Sequence, residues 1–166
     1  MFELKSLTAA GIPAALEKAE HYRLLNQPWA AESICWDIAA VEPTNQAALR
    51  TKLLAQTDQF GNDMGAARRA REALAKLADP YERAYYAGLI SERLAKTTLE
   101  HHAPGGRFTA YDELREAMEW YEKAEAIRPA GDDDAILRWN TCARLLNQSP
   151  HITPRGEESN EPVIGE

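Results

Sequence analysis

The sequence predicts an all-α fold, a right-handed α-solenoid of about three helix–turn–helix units closed by a C-terminal capping helix. Three observations carry this. First, Ala31, Cys35, Ile38 and Pro43 stand at offsets of 0, 4, 7 and 12, and Ala117, Tyr121, Ala124 and Pro129 repeat the frame. Second, amphipathic runs alternate with breaks rich in Pro, Gly, Asn and Asp along the chain. Third, small residues recur in the same frame: Ala31 and Ala66 are 35 residues apart, with Cys35 matching Ala70 and Ile38 matching Ala73.

The elements follow in order. A short lead-in of residues 1–10 precedes a first helix over Ile12–Leu25, where Pro13 fits an opening turn that needs no backbone donor. Ile12, Leu16, Ala19 and Tyr22 share its inner face. Asn26, Gln27 and Pro28 break it, and a second helix runs over Pro28–Val41 with Ala31, Ile34, Cys35 and Ile38 inward. Asn45 caps a third helix over Gln46–Phe60, which turns in Ala48, Leu49 and Leu53 and stops at Gly61.

Asp63 is placed to cap a fourth helix, Met64–Ala78, whose Ala66, Ala70 and Ala73 let a neighbour approach closely. Asp79 and Pro80 open a fifth helix that reaches Leu99, with Ala84, Gly88 and Ala95 as its small positions. His101–Phe108 reads as a loop, and Thr109 as the cap of a sixth helix over Ala110–Ile127. Asp132–Asp134 suit the positive end of a seventh helix reaching Asn147. Residues 1–148 thus form one helical domain, with Arg138, Asn140, Arg144 and Asn147 on the wet face of its last helix. Residues 149–166, with three prolines and excess acid, read as a mobile tail.

The 0, 4, 7, 12 frame resembles the second helix of a tetratricopeptide repeat, and the resemblance extends over roughly residues 12–148. It is fullest in Ala117–Pro129. It is weakest in the second unit, where Ala78 stands at the proline position. The family period is about 34 residues; the step from Ala66 to Ala117 is 51, which places extra length in the fifth helix and the loop after it. The resemblance implies a concave side lined by the first helix of each pair. On this register the groove residues are Glu20 and Arg23, Arg50 and Asp58, Tyr85, Glu92 and Arg93, and Asn140 and Arg144. A noncatalytic module holding a peptide or helical segment is the function implied; the alternative is an accessory subunit that assembles as a homo-oligomer. The lysine–asparagine–arginine clamp of the family's chaperone-binding members is not reproduced: helix three offers Arg50 without the asparagine.

Composition narrows the partner. The chain carries a net charge of -7, of which the tail contributes -3. An acidic chain is a poor binder of phosphate backbones, so protein partners are expected and nucleic acid is not. No apolar run approaches the length of a membrane span, and the N-terminus has no secretion-signal pattern, so the expected compartment is the cytoplasm. Cys35 and Cys142 lie inside helices without CxxC spacing and are expected to pack as small apolar groups. His21, His101, His102 and His151 form no HExxH or similar ligand set, and no phosphate-binding glycine loop is present, so no cofactor, metal or catalytic residue is assigned. Trp29, Trp36, Trp120 and Trp139 are expected to pack between helices.

Overall fold

Proline, asparagine and glycine punctuate the chain where the helices end. The computed structural model describes residues 1–156. Among them are a 3-10 turn at Ala9–Gly11 and seven α-helices, with no strand. These are α1 (Ile12–Leu24), α2 (Pro28–Val41), α3 (Gln46–Thr57), α4 (Ala66–Leu74), α5 (Pro80–Glu100), α6 (Gly106–Ala126) and α7 (Asp134–Gln148). No described helix is long and apolar enough to cross a membrane.

Most boundaries have a local cause. Asn26 takes a left-handed conformation, φ 57°, and the next amide donates back to the Tyr22 carbonyl at 2.9 Å, closing α1. The Asn45 side chain accepts the Ala48 N–H at 2.9 Å and Asp79 accepts that of Tyr81 at 3.2 Å, so both expected caps are present. Pro13, Pro28 and Pro80 each sit in a first turn.

Three elements differ from expectation. α3 ends at Thr57, short of Phe60, with Asp58 rather than Gly61 at its C-terminal stop. α4 is shorter than Met64–Ala78. Asp63 accepts the Gly65 N–H at 2.8 Å, forming a turn ahead of the helix rather than capping it. At the other end, the Ala78 N–H donates to the Gln46 side chain at 2.8 Å, which draws that stretch toward α3. α6 begins earlier than Ala110. Gly105, at φ 74°, turns the chain sharply, and the buried Gly106 starts the helix against Thr98 of α5, so Thr109 is not the cap.

Each helix packs on its neighbours in the chain, and α1 also meets α3. The core is a row of clusters. Ile12, Ile38 and Ala48 form one and Ala19, Ala31, Cys35 and Ala55 the next. Leu49, Leu53, Ala70, Ala73, Leu77 and Ile90 join α3, α4 and α5. The largest surrounds Leu114, Ala117, Tyr121 and Cys142 between α5, α6 and α7. Ile152, just past α7 in the segment expected to be mobile, is buried in that cluster; the rest of the expected tail, 157–166, lies outside the described residues.

Small residues set the spacing between helices. Ala19, Ala31, Ala66, Ala70, Ala117 and Ala124 are fully buried. The closest fit is at Gly88, where an added Cβ would lie 2.6 Å from the Tyr121 ring. Both cysteines are buried as expected, and burial pushes each thiol up to about 12.

One buried polar cluster ties α2, α3 and α4. Glu32, 6% exposed, receives Arg69 through two nitrogens at 2.8 and 3.1 Å, Gln56 at 3.0 Å and Gln59 at 2.7 Å. Burial raises its pKa, but these hydrogen bonds outweigh that and hold the carboxyl below its usual range.

Candidate functional site

The odd-numbered helices bring charged side chains to one open cleft. It holds about 740 Å³ and is lined from the end of α1, the end of α3 and the turn after it, the C-terminal half of α5 and Arg138 of α7. Local chemistry explains the first contacts. Arg23 stands in the last turn of α1, where a cation suits the dipole. Asp58 is the C-cap of α3, where an anion does not, and two arginines compensate for it. Arg23 Nε lies 2.8 Å from Asp58 Oδ2, and Arg93 Nη1 meets Asp58 Oδ1 and the Thr57 hydroxyl.

The second half of the cleft is built on Glu92. Arg138 Nη1 of α7 lies 3.2 Å from its Oε1, and the Tyr121 hydroxyl donates to its Oε2 at 2.5 Å. Tyr121 is fully buried. Burial first, and then the Glu92 charge, push its phenol pKa far up, so it remains a hydrogen-bond donor. For Arg138, burial is the largest single influence and acts to lower the pKa, but the Glu92 charge and the Tyr85 hydrogen bond together outweigh it and the net shift is upward.

Of the expected groove residues, Arg23, Asp58, Glu92 and Arg93 line this cleft together. The others stand elsewhere. Arg50 reaches across from α3 to Glu82 of α5 at 3.0 Å. Tyr85 packs in an aromatic group, its ring centre 5.2 Å from that of Tyr86 and 5.9 Å from that of Tyr121. Glu20 lines a separate shallow hollow on α1 beside Lys18 and His21. Asn140 is half-buried and Arg144 exposed, both on α7 outside the cleft lining.

Among the lining residues that sequence reasoning missed are Arg138, Lys96 and His101. Arg138 was assigned to the outer face of α7, yet it stands three residues after Ala135 and four before Cys142, both buried. That spacing places it on the inward stripe and could have located it. Lys96 stands one turn beyond Glu92 and Arg93 on α5, and His101 follows at its C-cap.

The tryptophans divide. Trp120 and Trp139 pack partly against the α5–α7 core, and Trp139 Nε1 donates to Glu122 at 3.0 Å. Trp29 and Trp36 do not pack between helices as expected. They are 68% and 49% exposed, and seven residues apart they share the outer face of α2. Trp36 follows Cys35 by one position, which rotates it off the inward stripe. The nearly buried Lys52 ammonium sits over its ring, 3.2 Å from the centre.

Among the described residues no group of three or more His, Cys, Asp or Glu side chains is arranged to hold a metal ion. No family model matches this chain. Searches of curated proteins and of solved structures give no match either.

Proposed function

We propose that this chain is a noncatalytic protein-interaction module of about three tetratricopeptide-like helix pairs, stacked as a right-handed solenoid in the cytoplasm and capped by α7. A peptide or helical segment of a protein partner lies in the cleft between α1, α3, α5 and α7. One observation carries this reading: arginines from three separate helices, Arg23, Arg93 and Arg138, converge on a single open cleft. Arginine is enriched at the anchoring points of protein interfaces. Packing between chain neighbours supports the stacked arrangement, as do the small residues at the recurring positions.

The test uses the full chain immobilised against a randomised peptide library. The tightest peptide is then measured against wild type and against Arg93→Gln and Arg138→Gln. Each arginine contributes a charged hydrogen bond, so each change is expected to weaken binding about tenfold or more. Thermal melting confirms that the variants fold. Recovery of no peptide, or unchanged affinity in both variants, contradicts the reading.

A second reading follows from Trp29 and Trp36, whose exposed face on α2 suits association of two copies. Solution mass across micromolar to millimolar concentration decides it. A dimer that Trp29→Glu and Trp36→Glu dissociate supports assembly; a monomer throughout removes it.

A further inference from the structure

An apolar pocket opens beside the polar cleft, where α5, α6 and α7 meet. It holds about 320 Å³, and Leu99, Leu114, Cys142 and Leu145 form its walls. Leu114 and Cys142 are buried at its base, while Leu145 is 37% exposed. Glu92, Arg93, Lys96 and Glu100 line both spaces, so cleft and pocket share the same stretch of α5. A segment lying in the cleft passes the mouth of the pocket.

We infer that the pocket seats one large aliphatic side chain of the bound segment, and that the residues flanking this anchor are acidic. The inference rests on the cleft being the binding site, as proposed above. The anchor follows from the walls: an aliphatic side chain gains by leaving water for a leucine-lined recess. Cys142 adds no reactivity, because burial pushes its thiol up to about 12.

The acidic flank follows from counting donors and acceptors. Both oxygens of Asp58 are engaged, one by Arg23 and one by Arg93. Both oxygens of Glu92 are engaged as well, one by Arg138 and one by Tyr121. A guanidinium carries five N–H donors. Among the described residues, these contacts use Nε of Arg23 and Nη1 of Arg93 and Arg138. Each of these carboxylate oxygens is thus already held by a donor, while each guanidinium keeps N–H groups for a ligand, even with Arg138 also engaging Tyr85. Lys96 adds a charge with a 76% exposed side chain, held only loosely by Glu100 at 3.8 Å. The chain as a whole is acidic, but the cleft lining sets Arg23, Arg93, Lys96 and Arg138 against Asp58, Glu92 and Glu100, and this locally cationic balance favours carboxylates.

The test measures fluorescence anisotropy of the full chain with a labelled, C-terminally amidated peptide, Glu-Glu-Glu-Leu-Glu-Glu-Glu. Two controls replace the leucine by alanine or all glutamates by lysine. Wild type is expected to bind the leucine peptide about tenfold or more tighter than the alanine peptide, and the lysine peptide more weakly than either. Thr141 is exposed at the pocket mouth and donates only to the Leu137 carbonyl. Thr141→Trp therefore covers the pocket, and is expected to erase the leucine preference, so that the leucine and alanine peptides bind alike. Leu145→Ser, which strips one wall, is expected to reduce the preference by a separate route.

Equal affinity of wild type for leucine and alanine peptides overturns the anchor. Equal affinity for glutamate and lysine versions overturns the acidic flank. If none of the three peptides binds, the inference fails. The library selection then decides the cleft separately: retained peptides of other composition leave it standing, and none retained removes both.

Discussion

Glycine at position 88 and tyrosine at position 121 fit one another closely. The ring occupies the space a methyl group at 88 would need, and the ring's hydroxyl is tied to Glu92. Gly88→Ala gains helix propensity worth about 0.5–1 kcal/mol, but overpacking against a fully buried ring costs about 1–3 kcal/mol. The net expectation is destabilisation by about 1–2 kcal/mol in a denaturant titration; a stabilised variant would show that the ring moves aside freely. Glu32 poses the opposite problem, a charge that burial disfavours and hydrogen bonds retain. Glu32→Ala leaves Arg69 with Asp63 alone, 2.8 Å away, and is expected to cost about 3 kcal/mol, the low end for breaking a buried pair. The folded carboxyl sits below its ordinary pKa, so its contribution is complete above the unfolded value of about 4.3 and is lost as pH falls through the folded value. The stability gap between wild type and Glu32→Gln should therefore shrink between pH 7 and pH 3. A gap that stays constant would assign the effect to packing.

Caps fix the helices where a side chain reaches the backbone. Asn45→Ala removes the acceptor of the Ala48 amide and is expected to cost about 1 kcal/mol at the start of α3; no change in thermal midpoint would mean that water replaces it. These ends were legible, because asparagine, aspartate and proline act on residues two or three positions away. The start of α6 was not. Thr109 has the right chemistry for a cap, but Gly106 is buried against α5, and the chain enters the helix wherever that contact requires. α4 was overestimated for a related reason. Residues 75–78 continue its polar–apolar pattern, yet Gln46 of α3 captures the Ala78 amide and ends the helix sooner.

Across the whole molecule, ion pairs join helices that are not consecutive. Arg23–Asp58–Arg93 links α1, α3 and α5, and Glu92–Arg138 links α5 and α7. Each apolar stripe was readable from its own helix, which is why Ala31, Cys35, Ile38, Ala117, Tyr121 and Ala124 were correctly placed inward. Which charged faces meet depends on how the stripes pack, so Arg23, Asp58, Glu92 and Arg93 were foreseen while Arg138 and Lys96 were not. Trp29 and Trp36 show the same limit from the other side: an aromatic residue signals contact area without saying whether this chain or a partner supplies it.

The claim on which the rest depends is that a protein segment occupies the cleft of the odd-numbered helices. Its most direct test is amide chemical-shift mapping of the full chain with the tightest library-selected peptide. The account predicts perturbations around Arg23, Asp58, Arg93, Lys96 and Arg138, drawn from four helices at once. Perturbations confined to the α2 face around Trp29 and Trp36, with the cleft unchanged, would contradict it.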